Sequence, residues 1–350
     1  MRKLMIIICI IGGLISCNDS TTDSNPPFKH PKEMTWSADT LPVPEYAIQV
    51  LPEDLTVIAP DNIWLATWVG HAQFMHFDGD KWSLAHEIAG GIFSLTYDNY
   101  NRLWAGGYSN NIYIGYFDGF NWNRVDDMGV TGAILDMTTD EEGNIWACGR
   151  NGVVLKYSQS SDQWFLDTVI VGYHKSHPET EYFLRSIQSF NKKRYLIAWV
   201  IDFNRVKNIY YFIEGKLNNW EVVDSIVSEG RSNSITFGNR GIFHLDNNKL
   251  YTYGSLGLWY RINSEWIKLY DSSSSIYDVS GADAKYLLAV GPFKSITYYN
   301  GSYWEDLANL FSISDPEFVF NNVWTNGYQT VIAGYGNVDG ITKTIVWRGR

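Results

Sequence analysis

The sequence predicts an all-β fold, a seven-bladed β-propeller of four-stranded antiparallel blades, on three observations. Aromatic residues are abundant, one strand pattern recurs at a steady interval, and the last copy lacks a strand that the N-terminal region supplies. The 15 Trp, 23 Tyr and 17 Phe make up 16% of the 350 residues. Such side chains suit a pleated, half-buried surface. Thirty Gly, scattered singly, add frequent turns. A chain of this length buries a core that is stable without disulfide staples.

The recurrence is plain once the turns are aligned. Asn62-Ile-Trp-Leu-Ala-Thr precedes Phe77-Asp-Gly-Asp-Lys-Trp82, Arg102-Leu-Trp-Ala-Gly-Gly precedes Phe117-Asp-Gly-Phe-Asn-Trp122, and Asn144-Ile-Trp-Ala-Cys-Gly precedes Tyr157 to Trp164. Worn copies end at Trp220, Trp266 and Trp304. From Trp82 to Trp304 there are five intervals with a mean near 44 residues, the length of a four-stranded propeller blade. Each copy reads as a small-residue strand A, a strand B ending in Gly, a strand C with alternating aromatics, a Gly/Asn turn, and a strand D opening with Trp. Asp78-Gly79, Asp118-Gly119 and Asn300-Gly301 suit the C–D hairpins because they adopt positive φ at low cost.

The final copy supplies strand B at Val331-Ile-Ala-Gly and strand C at Thr344 to Gly349, with no strand D before Arg350. Met34-Thr-Trp36-Ser-Ala-Asp resembles the start of the other D strands. Residues 34–40 are therefore expected to complete the seventh blade and close the ring, leaving no free sheet edge. An open solenoid or two β-sandwiches would leave both terminal half-repeats unexplained.

The expected domain organisation is a leader over 1–17, a disordered tether over 18–33 and the propeller over 34–350. Arg2 and Lys3 precede an apolar run from Leu4 to Ile15, the length of a signal-peptide core and too short for a membrane span. Leu14-Ile15-Ser16-Cys17 resembles the lipobox of bacterial lipoproteins. That resemblance implies lipidation of Cys17 and a protein anchored to the outer membrane, facing the periplasm or the surface. Several acyl chains give stable anchoring where one gives reversible binding. Residues 18–32 are polar, with Pro26, Pro27 and Pro31, as in a flexible tether.

The blade repeat resembles that of bacterial extracytoplasmic propellers reading Ile-Trp-x-x-Gly, then Asn/Asp-Gly, then Trp, a group near the two-component-regulator and Asp-box propellers. The resemblance covers about 34–350 and implies the fold rather than an activity. Asp78 and Asp118 lie four residues before their tryptophans, one fewer than in an Asp-box.

The net charge is −11, or −13 once Arg2 and Lys3 leave with the leader. With no basic stripe, this excludes nucleic acid as a partner. Cys9 and Cys17 belong to the leader, so Cys148 stands alone as a small buried side chain. No phosphate loop, nucleophile elbow or zinc helix occurs, and no cofactor or metal is expected. His71 and His76 lie five apart in strand territory and face opposite ways. His174-Lys-Ser-His177 lacks a third ligand nearby in sequence. Carboxylate pairs such as Asp126-Asp127, Asp140-Glu141-Glu142 and Glu179/Glu181 carry little signal, because a ring can bring any two acids together. Asp140 to Gly143 reads more simply as an A–B turn.

Recognition is expected on the face where B–C and D–A loops gather. The B–C loops bring Trp68, His71, Tyr108, Asn110, Arg150, Asp202, Arg205, Phe293, Lys294 and Tyr335 there, and the insertion 168–184 adds His174, His177 and Tyr182. Flat rings mixed with a few polar groups suit a glycan or a protein ligand. The leading expectation is a monomeric, non-enzymatic binding or scaffold propeller. The alternative is an envelope glycan-active hydrolase or lyase using carboxylates or His174 and His177.

Overall fold

The computed structural model describes residues 27–125, 129–229, 237–245, 249–255 and 257–350. The leader, Cys17, tether residues 18–26 and the Asp126-Asp127 pair lie outside the described residues. Seven four-stranded antiparallel sheets follow one another round a ring, as the repeat predicts. Blades 1 to 6 occupy 51–88, 91–124, 134–168, 181–229, 241–270 and 278–306, and blade 7 combines 319–349 with 36–40. The strand Trp36–Thr40 pairs with Ile341–Gly349, setting Trp36 opposite Gly349 and Thr40 opposite Ile345. The ring is closed by the segment that the sequence assigned to it.

Packing explains the pattern. Each blade is covered on both faces, so its second strand is mostly buried, and at every position over Ile145–Gly149 and Tyr286–Val290. Apolar clusters bridge adjacent blades. Ile63 and Leu65 of blade 1 meet Val331, Ala333 and Val346 of blade 7, and Trp64 and Phe74 of blade 1 meet Ile92, Leu103 and Tyr113 of blade 2. Burying such side chains contributes roughly 1.5–3 kcal/mol each. Outer strands have no buried position over Trp82–Ile88 and Gln163–Thr168.

The tryptophans are structural. Trp104 and Trp146 donate their indole N–H to Asp98 and Asp140, at 3.0 and 2.9 Å, in the A–B turns. Trp82, Trp220 and Trp266 donate to Asp39, Asp167 and Asp224 on the outer strand of the preceding blade. Gly79, Gly119 and Gly301 carry φ of +99°, +98° and +91° at the C–D hairpins. Asp140 caps its A–B turn by accepting the N–H groups of Glu142 and Asn144. Cys148 is buried, with its thiol against the Leu184 carbonyl.

The folded part begins before residue 34. Phe28 packs edge-on to Tyr286 and Tyr328, both at 5.5 Å between ring centres. Lys29 donates its N–H to Gly327, and His30 and Lys32 pair with Glu305. This corrects the expectation of a disordered tether reaching residue 33. One aromatic ring among polar neighbours gives 28–33 a place to dock. Among the described residues no helix is long and apolar enough to cross a membrane.

Candidate functional site

The seven inner strands line a central channel, and a recurring irregularity equips its mouth. Register shifts mark β-bulges at Glu53, Phe93, Leu135, Arg185 and Asn321. A bulge leaves its residue outside the ladder and re-aims its side chain. Arg240 and Tyr277 stand at the matching place in blades 5 and 6, one residue before the inner strands Gly241–Leu245 and Asp278–Asp283. Each blade thus contributes one side chain to a cavity of ≈ 410 Å³, which Asp54, Asp136, Asp278, Tyr253 and Tyr335 also line.

The residue after each of these positions ties its blade to the next. Asp54 accepts the N–H of Leu95 at 2.6 Å, Ser94 that of Met137 at 3.0 Å and Asp136 that of Ile187 at 2.8 Å. Ser186 accepts from Ile242 at 3.2 Å and Asp278 from Val323 at 2.8 Å. Asn322 closes the circuit by donating its amide to the Glu53 carbonyl. Blade 5 has Gly241 at this position. A Cβ there would stand 2.2 Å from Cζ of Tyr253, whose hydroxyl reaches Asp278 at 3.3 Å. Burial raises Asp136 to about 6 and Asp278 to about 7, and raises Asp54 further with help from the other two charges. These acids are a structural ring with their oxygens occupied.

Above them the mouth holds groups with spare bonding capacity. Burial alone raises Glu53 to about 7. The Arg240 guanidinium lies 4.0 Å from the centre of the Tyr277 ring and donates Nε–H to the Tyr277 carbonyl at 3.1 Å. Arg185 lies over Trp199 at 4.9 Å. Burial, then the charge of Arg240, lowers its pKa. The Tyr335 phenol is raised by burial, with Tyr277 and Glu53 adding to the rise. A second hollow, ≈ 650 Å³, opens beside the channel between blades 2 and 3, lined by Phe93, Tyr108, Asn110, Gly132, Ala133 and Arg150. Phe93, shared by both cavities, stacks on Tyr108 at 5.7 Å.

Of the residues singled out from sequence, Tyr335 lines the channel and Tyr108, Asn110 and Arg150 line the adjoining hollow. The others are engaged around the rim. His71 bonds Glu87 at 3.1 Å and stacks on Tyr46, and Trp68 ends its strand opposite Leu51. Asp202, held down at about 2 chiefly by Arg205, also accepts from the Tyr173 hydroxyl. His174 bonds Thr180 and stacks on Tyr182, while His177 stacks on Tyr173, in and beside the short helix Gly172–Ser176. Phe293 and Lys294 form a turn with φ of 57° and 59°. Among the described residues no cluster of His, Cys, Asp or Glu is suited to hold a metal.

Sequence reasoning that looked to loops missed the inner strands. The signal was present. Glu53-Asp54-Leu55, Phe93-Ser94-Leu95, Leu135-Asp136-Met137, Arg185-Ser186-Ile187, Arg240-Gly241-Ile242, Tyr277-Asp278-Val279 and Asn321-Asn322-Val323 align. A small or acidic residue and an aliphatic one recur, and the residue before them varies freely. A position that varies inside an otherwise regular repeat is the one released from packing.

No protein family and no curated protein matches the sequence. Solved structures are similar in fold. A streptogramin B lyase structure superposes with a TM-score of 0.62 at 9% identity, covering 92% of this chain and 100% of that one. YCF48 bound to D1 peptide gives 0.61 at 13%, covering 90% and 94%. Virginiamycin B lyase from Staphylococcus aureus gives 0.58 at 11%, covering 89% and 99%.

Proposed function

We propose that this chain is a binding propeller, held at the bacterial envelope by lipid on Cys17, that recognises a segment of a partner protein at the mouth of its channel. The observation that carries the reading is the convergence of one re-aimed side chain per blade on a single cavity. Tyr277, Tyr335 and Phe93 offer flat faces, and Glu53, Arg185 and Asn321 offer polar edges. A few placed polar groups within an aromatic wall suit an extended peptide. A propeller of similar fold, YCF48, carries a bound D1 peptide, which supports the peptide over a glycan. The test is binding of the full chain to peptide and glycan arrays, alongside Tyr277→Ala and Tyr335→Ala. Peptide binding weakened by both substitutions is expected. Binding of glycans alone, or of peptides equally by all three proteins, would overturn the reading.

The anchor and the mouth fit together. Phe28 docks beside Gly327 and Tyr286, at the A–B turn end of the blades, whereas the mouth lies where the inner strands begin. Ten residues, 18–27, separate Cys17 from Phe28, a reach of at most about 40 Å over the eleven steps between them. Lipid at Cys17 would draw the A–B face to the bilayer and turn the mouth away from it.

A second reading, a hydrolase or lyase, rests on Glu53. Its carboxyl has no hydrogen-bond partner among the described residues and titrates near 7, where a general base works best. Turnover of an envelope substrate, abolished in Glu53→Gln, would favour it over binding alone.

A further inference from the structure

We propose that Arg185 and Arg240 form an anion-receiving subsite in the channel, and that the peptide bound there presents an acidic side chain to them. This deepens the peptide reading above. The two residues occupy matching positions on adjacent blades, line one cavity and feel each other's charge. Each uses the face of its guanidinium on an aromatic ring, Trp199 for Arg185 and Tyr277 for Arg240. Stacking consumes the face and leaves the N–H edge free. Arg240 spends only Nε–H, on the Tyr277 carbonyl. Among the described residues Arg185 has no hydrogen bond or ion pair from its side chain, and Arg240 has no ion pair.

Two like charges in one partly desolvated cavity with little counter-charge are costly. The acids near them supply it only in part, since Asp278 feels the charge of Arg240 but is committed elsewhere. Asp136 and Asp278 each accept two backbone N–H groups and sit in the blade-to-blade ring. Glu53 stands on blade 1, three steps from Arg185 in a ring of seven, and its pKa is set by burial with no contribution from either guanidinium. A carboxylate arriving from outside brings two acceptor oxygens to these N–H edges, and charge-assisted bonds of that kind are among the strongest. Glu53 on the far wall would repel an anion seated on the wrong side.

The experiment uses the full chain in detergent and two labelled hexapeptides, Ala-Glu-Glu-Ala-Glu-Ala and its glutamine counterpart, read by fluorescence anisotropy. Inorganic sulfate against sodium chloride of equal ionic strength is read by thermal shift. The acidic peptide should bind at least about 10-fold more tightly than the glutamine one, since charge-assisted bonds exceed neutral ones by that margin. Arg185→Gln and Arg240→Gln should each remove the difference, and Arg150→Gln in the neighbouring hollow should not. Sulfate should shift the midpoint saturably in the parent and not in the two variants. Equal affinity for both peptides would overturn the subsite and leave the peptide reading standing. Saturable, arginine-dependent sulfate binding with no peptide bound would keep the subsite and sink the peptide reading. A sulfate shift that is the same in all proteins would overturn the subsite outright.

Discussion

Asp136 on the inner strand of blade 3 accepts the backbone N–H of Ile187 on the inner strand of blade 4 at 2.8 Å. The same carboxylate accepts from the Ser186 hydroxyl at 2.8 Å and from the N–H of Met137 at 2.9 Å. One side chain therefore ties two blades, and Asp54 and Asp278 repeat the device at the matching place. Asp136→Ala strands the Ile187 N–H in a buried site. Each orphaned polar group costs about 1–3 kcal/mol, so the variant should lose at least ~2 kcal/mol in urea unfolding. Asp136→Asn keeps one acceptor oxygen and should lose less. Unchanged stability in the alanine variant would mean that the ring of acids does not hold the blades together.

The same acids set a pH dependence. Asp136 and Asp278 titrate near 6 and 7 in the folded chain, and Glu53 near 7, against about 4 unfolded. Between those values the folded state binds more protons, so stability falls as pH rises from about 4 to 7. The penalty is complete above 7 and absent below 4. Unfolding midpoints should therefore rise on going from pH 8 to pH 5, by at least ~2 kcal/mol in stability. Asp278→Asn should flatten part of that slope. A midpoint that falls over this range would contradict the assignment.

Ring closure was legible in the sequence because it rests on a pattern. Trp36 matches the other outer-strand tryptophans, and the missing strand of the last copy has only one candidate. The same regularity identified the turn glycines and the tryptophans that pack blades. The channel was not legible, because its lining comes from strand positions that no loop composition marks. Glu53, Arg185, Arg240 and Tyr277 lie at the openings of strands, where bulges or strand ends release one side chain each, and a bulge has no composition of its own. Phe28 was hidden for another reason. A single ring in a polar segment has no periodicity, and its pocket is built from Tyr286 and Tyr328, 258 and 300 residues away.

Closure is also a matter of charge. Asp39 on the N-terminal strand accepts from Arg348 at 2.7 Å and from the Trp82 indole at 3.2 Å, joining blade 7 to blade 1. Arg348 is held 3.8 Å from the centre of the Phe77 ring. Asp39→Ala should cost about 1–2 kcal/mol, since it leaves a half-buried guanidinium unpaired. Asp80→Ala, on an exposed turn, should cost nothing measurable. Equal melting temperatures for Asp39→Ala and the parent would show that closure depends on the backbone pairing alone.

Anchoring has its own test. Cys17→Ser should leave the chain unlipidated and shift it from the membrane fraction to the soluble one, with its folding unchanged. Retention of the variant in the membrane fraction would contradict an anchor at Cys17.

A partner protein is proposed to be held at the channel mouth. A photo-crosslinking phenylalanine placed at Tyr335, in the full-length protein in its native cells, tests this most directly, with Phe165 on an exposed outer strand as the control position. A discrete protein adduct is expected on irradiation from position 335 and none from 165. No adduct from 335, or the same adduct from both positions, would contradict it.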